Sequence, residues 1–164
     1  MEQTIDFKHY FLLPNKFKVV GWVLLIPGIF LTILRFYFEL KPEFLDIKMF
    51  TLYSSYFKVK YFTIIDNNYS EEITGLLVFL GLFFIAFTKE KVENQNILLI
   101  RLQALLLSLF VNSSFTIIAL LFIFGLGFVQ YLIINLYLIF IIYIIAFRYY
   151  LRKHKNVIHN RKFG

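Results

Sequence analysis

The 164-residue chain contains no cysteine, and it holds only three histidines, three prolines and seven glycines. Without thiols there are no disulfides, thiolate metal sites or cysteine nucleophiles. His9, His154 and His159 all lie near the ends of the chain, and a zinc site needs more ligands than they offer. Charge is scarce as well, at 16% of residues against about 25% in a soluble domain. No glycine-rich phosphate loop, nucleophile elbow or HExxH pattern occurs. These absences lean against an enzyme, and neither a cofactor nor a metal is expected.

Apolar residues fill the space that charge leaves. The chain is 60% hydrophobic and 21% aromatic, well above the 45–50% apolar content of an average soluble domain. Runs of about 20 apolar residues are long enough to cross a bilayer as a helix. Four such spans are expected, at about 19–38, 71–88, 97–124 and 128–147, within a single integral membrane domain covering residues 1–164. Pro27 followed by Gly28 predicts a kink in the first. Ser70 is placed to cap the second, with Glu71 and Glu72 in its first turn. Gly125-Leu126-Gly127 leaves room only for a tight helical hairpin between the third and fourth. The fold class is therefore all-α, an antiparallel bundle of four transmembrane helices with a small extracytoplasmic cap at 39–70.

The cap region alternates polar and apolar residues at Lys58–Ile65. A short β-hairpin with Ile47–Tyr53 is expected there. The cap either covers the helix ends or offers a strand edge to a partner.

Lysine and arginine placement orients the spans. If the N-terminus, the loop stretch at 89–101 and the basic tail at 148–164 share one side, that side holds twelve of the seventeen Lys and Arg residues. Only Arg35, Lys41, Lys48, Lys58 and Lys60 face the other way, so both termini are expected in the cytoplasm. A cleavable signal peptide does not fit, because RFYFELKPEF offers no small-residue cleavage site. The basic residues flank apolar runs instead of forming one soluble face, so nucleic acid is not an expected partner. The expected partners are the bilayer and either another membrane protein or a second copy of the chain.

Three groups of residues are candidates for function. The loop stretch AFTKEKVENQNILLIRLQALL carries Lys89, Glu90, Lys91, Glu93 and Arg101. Glu90 and Glu93 would share a face if the loop were helical. The stretch then reads as a solvated turn with topology-setting lysines, a paired-carboxylate site, or a knob for a partner. Asn112, Ser113 and Ser114 in the third span and Asn135 in the fourth form an intramembrane polar cluster. The two asparagines lie roughly 17 and 20 Å from the loop-side edge at 1.5 Å rise per residue, so a direct interhelical hydrogen bond between them is expected. Arg148, Arg152, Lys153 and Lys155 are placed to meet anionic lipid headgroups.

FLLPNKFKVVGW at 11–22, IIDNNYSEEI at 64–73 and AFTKEKVENQNILLIRLQAL at 86–105 resemble a group of small, uncharacterised multi-pass inner-membrane proteins of Bacteroidota (flavobacteria and relatives). The family's loop reads closer to F-[ST]-K-E-K-x-E…L-R with further acids, where this chain has Asn94 and Gln95. The resemblance implies a bacterial inner membrane and brings no activity with it. The function expected is that of a non-enzymatic accessory, assembly or signalling partner. The alternative is a small transporter or lipid-binding protein with a polar site between spans three and four.

Overall fold

The computed structural model describes residues 11–55 and 59–163, with side chains at all of these except 55, 60 and 155–163. Helix α1 spans Phe17–Phe36 and is followed by a short 3-10 turn at Glu43–Leu45. Strands β1 (Asp46–Ser55) and β2 (Val59–Asn68) come next, then α2 (Ser70–Phe87), α3 (Gln95–Phe122) and α4 (Leu126–Phe163). All four helices are long and apolar enough to cross a membrane. The first three begin within two residues of the expected spans. The fourth does not stop at 147 but runs on to Phe163. Leu, Arg and Lys are good helix formers, and no Pro or Gly interrupts 148–163, so the change from apolar to basic does not end the helix.

The chain packs as two compact units, Trp22–Gly81 and the pair of segments Met1–Gly21 and Leu82–Gly164. In the first unit α1 and α2 approach closely at small residues. A Cβ on Gly81 would stand 2.8 Å from the Leu25 backbone nitrogen, and one on Gly28 would stand 3.0 Å from that of Val78. Helix α1 continues through Pro27, and the Thr32 hydroxyl donates to the Gly28 carbonyl (2.8 Å). The expected hairpin is present. β1 and β2 pair antiparallel from Asp46↔Asn68 to Ser55↔Val59, both longer than the alternation indicated. Phe62 adopts φ 48°, an uncommon backbone for an aromatic residue, and the ladder passes over the Leu52 position opposite it. The hairpin is tied to the helices where the Tyr69 N–H donates to the Leu45 carbonyl (3.0 Å), both residues being buried.

Ser70 is not the cap of α2. The Asn68 side-chain oxygen accepts the Ser70 N–H (3.1 Å), and the Tyr69 carbonyl accepts the first helical bond, from Ile73 (2.9 Å). The Ser70 hydroxyl is buried without a hydrogen-bond partner. Asn68 reaches the first turn from two residues upstream, an Asx-turn geometry that outcompetes the shorter serine.

In the second unit α3 and α4 form an antiparallel hairpin. It turns at Gly125, whose φ of 65° is a left-handed value that glycine adopts without steric cost. Ile97, Ile100, Ala104, Ala146, Phe147 and Leu151 make its core, flanked by Tyr143 and Tyr150. Large apolar side chains are exposed on the helices of both units, including Trp22 and Phe30 in the first and Phe110 and Ile134 in the second.

Candidate functional site

The last four carbonyls of a helix have no partner within it, and α2 ends in the unit where the candidate loop begins. The Leu13 N–H donates to the Phe87 carbonyl (2.9 Å), while the Lys89 N–H donates to the Leu13 carbonyl (2.9 Å). The Asn15 amide covers the Lys89 carbonyl (2.9 Å), and Thr88 returns its hydroxyl to the Phe84 carbonyl. The remaining groups are served from α3. Arg101 Nη2 donates to the Thr88 carbonyl (2.9 Å) and Nη1 to the Ala86 carbonyl (3.4 Å). A cation is favoured at this negative end of the helix dipole.

Arg101 is 6% exposed, so its charge requires a partner in the chain. Glu93 supplies one, accepting from Nε at 2.9 Å and from Nη2 at 3.3 Å in a two-pronged pairing. The second Nη1 hydrogen goes to the Tyr143 hydroxyl (3.4 Å). All five guanidinium N–H donors are thus used, and the group lies over the Phe147 ring at 4.5 Å from its centroid. Arg101 joins the end of α2, the loop, α3 and α4.

Glu90 forms a second node. Its Oε1 meets Lys18 Nζ at 2.8 Å and Arg148 Nη1 at 3.4 Å. Partial burial pushes the Glu90 carboxyl up, but the Lys18 bond and the charges of Lys18, Arg148 and Arg101 outweigh it and hold the pKa below the ordinary value. The Glu90 N–H donates to Glu93 Oε2 (2.9 Å), which links the nodes. The two carboxylates therefore turn to different cations, although they are three residues apart.

The loop is not helical between Lys89 and Asn94, which corrects the expectation of a solvated helical turn. With side chains only 17% and 20% exposed, Glu90 and Glu93 are held within the unit. Their counter-charges come from α1 (Lys18), α3 (Arg101) and α4 (Arg148). Lys89 and Lys91 are exposed. Asn94 caps α3 by accepting the Ile97 N–H (3.0 Å).

Asn112 of α3 and Asn135 of α4 do not bond to each other. Asn135 Oδ1 instead accepts from the Tyr131 hydroxyl (3.2 Å) and lies 3.5 Å from Thr116 Oγ1, while the Thr116 and Tyr131 hydroxyls are 3.1 Å apart. Thr116 also donates to the Asn112 carbonyl (2.9 Å), and Asn112 Oδ1 is buried without a partner. Rise along a helix fixes height, whereas rotation about the axis fixes which side chains meet. The bonded pair Thr116 and Tyr131 lies one turn nearer the hairpin bend than the two asparagines. Ser114 donates to its own helix at the Phe110 carbonyl (2.9 Å), and Ser113 is exposed. Of the basic residues in the tail, Arg148 joins the Glu90 node, and Arg152 and Lys153 are exposed. The side chain of Lys155 lies outside the described residues.

Sequence reasoning missed Lys18, Thr88, Tyr143 and Phe147. Tyr143, Phe147 and Arg148 share one side of α4 at spacings of four and five, but in a run so rich in aromatics that spacing does not stand out. Among the described residues no three His, Asp or Glu side chains come together as metal ligands would. A cavity of about 410 Å³ lies beside Arg101, lined mostly by apolar groups of α3 and α4. No family model matches the chain, and neither a curated protein nor a solved structure does.

Proposed function

We propose that the protein is a multi-pass protein of a bacterial inner membrane, with both termini in the cytoplasm, and that it acts without chemistry as an accessory, assembly or signalling partner. The observation that carries this reading is the closed state of the charged site. Arg101 has spent every donor, and Glu90 and Glu93 are each paired with cations of the same chain. Acid–base or metal chemistry needs a carboxylate or cation with capacity to spare. The node instead supports a structural role, locking a loop so that exposed Lys89, Lys91 and Val92 present a constant surface to a partner. The Thr116–Tyr131–Asn135 network supports interhelical packing over a transport path. The outward apolar faces of the helices support a lipid environment, and the resemblance to Bacteroidota membrane proteins supports the bacterial inner membrane.

Two measurements test the reading. The chain has no native cysteine, so single replacements report topology cleanly. In intact cells an impermeant maleimide should label Thr51→Cys and spare Lys91→Cys, and the pattern should invert in inside-out vesicles. Affinity purification in mild detergent should recover a reproducible membrane partner that is lost when Lys89, Lys91 and Val92 are replaced together by alanine. Equal labelling of both cysteines from one side would refute the topology. Purification of the chain by itself would refute the accessory role.

A further inference from the structure

The cavity beside Arg101 is mostly apolar; its polar side chains are Arg101 and Tyr143 in the loop-side half and Ser108 at the far end, whose hydroxyl is given to the Leu105 carbonyl of its own helix. Along α3 it is lined by Leu98, Arg101, Leu102, Leu105 and Ser108, a stripe about 15 Å long at 1.5 Å rise per residue. Ile139, Phe140 and Tyr143 of α4 form the opposite wall, and Phe11, Leu12, Ala86 and Phe87 close the loop-side end. A mostly apolar lining with a few polar groups suits a largely apolar ligand, and the α3 stripe is long enough to take part of an extended chain. Its rim is apolar and exposed, including Phe11, Phe87, Leu102 and Leu105, so an occupant arrives from an apolar phase. Polar groups gather where Arg101 and Tyr143 stand, next to the charged loop. An amphiphile would therefore lie with its head toward the loop and its chain along α3.

The hydrogen bonding at that end selects the head. Arg101 has no donor left to give. An anion would have to break one of its bonds and would also face the Glu93 and Glu90 carboxylates, and both effects disfavour it. Tyr143 accepts from Arg101 through its oxygen, and its own proton has no acceptor among the described residues. It can donate one hydrogen bond into the cavity, so the head should be neutral and should carry an acceptor.

We infer that this cavity binds a single-chain lipid ending in an uncharged carbonyl, of the fatty acyl ester class, with the carbonyl oxygen accepting from the Tyr143 hydroxyl. The inference rests on the membrane reading above. The test must therefore separate the two.

The full-length protein in lipid nanodiscs is exposed to three photoreactive probes of equal chain length, each with a mid-chain diazirine: a fatty acid methyl ester, the free fatty acid and the plain alkane. Adducts are mapped by peptide mass spectrometry. Labelling at Leu132–Leu136, where Leu132, Ile133 and Ile134 are exposed apolar residues, reports general lipid contact. Labelling at Leu98–Ser108 and Ile139–Tyr143 reports the cavity. The ester should be enriched in the cavity over the general site, and the free acid and alkane should be enriched less. Tyr143→Phe should lower the ester's enrichment about threefold to tenfold, the worth of one neutral hydrogen bond, and leave the alkane's unchanged. Leu105→Trp, which fills the groove away from the charged nodes, should abolish enrichment of all three while general labelling persists.

Uniform ester labelling, stronger enrichment of the free acid, or an ester signal indifferent to both variants would overturn the cavity assignment and leave the membrane reading standing. Loss of general labelling in the wild type would overturn both.

Discussion

Arg101 is the residue on which most of the loop-side geometry depends. Removing it would strand the Glu93 carboxylate and uncover the Ala86 and Thr88 carbonyls. Breaking a buried pair by deleting one partner costs about 3–5 kcal/mol. Arg101→Met should therefore lower thermal stability in detergent by that order, and Glu93→Gln should do so by somewhat less. The double variant should be more stable than the two losses added together, and a double-mutant cycle showing simple additivity would contradict the pairing. Glu90 makes a separate prediction about acid. Its folded pKa is depressed, so its contribution is present above the unfolded value of about 4.3 and fades as pH falls through the lower folded value. Lys18→Met removes the main group that depresses it and leaves burial to push the other way. The acid limb of the unfolding-midpoint profile should then move to higher pH. A profile with its acid limb unmoved would show that Lys18 does not hold Glu90 in solution.

Among the elements, α1 and α2 depend on the absence of side chains. A methyl at Gly81 would stand 2.8 Å from the Leu25 Cβ, and nothing short of helix separation relieves that. Gly81→Ala should destabilise the protein by about 1–3 kcal/mol, the usual cost of overpacking. Gly127→Ala, whose nearest neighbour would be a side-chain carbon at 3.4 Å, should be close to neutral in the same thermal assay. The helices themselves were legible, because length and hydropathy set where an apolar run can stay helical. Their ends were less so. Asn68 and Tyr69, not the Ser70 hydroxyl, cap the start of α2, since a cap is decided by which oxygen reaches the first free N–H. The basic tail looked like a separate segment, yet α4 runs through it. Helix propensity is blind to the boundary between apolar and charged residues.

For the molecule as a whole, the amino-acid sequence determined what kind of protein this can be. Sixty per cent hydrophobic content, four long apolar runs and no cysteine limit the chain to structures built from membrane-length helices without covalent or thiolate staples. They follow from composition and from the 1.5 Å rise of a helix, so no tertiary information was needed. The partners of the charges were a tertiary decision. Glu90 and Glu93 stand three residues apart in the sequence, but one pairs with Lys18 and Arg148 and the other with Arg101. Asn112 and Asn135 match in height, but the side-chain hydrogen bonds that join α3 to α4 near that height run from Thr116 to Tyr131 and Asn135. Helix spacing says which residues can lie near one another along one element. Which of them meet across elements depends on rotation, loop path and the search of every buried charge for a counter-charge, and those are settled only when the whole chain packs.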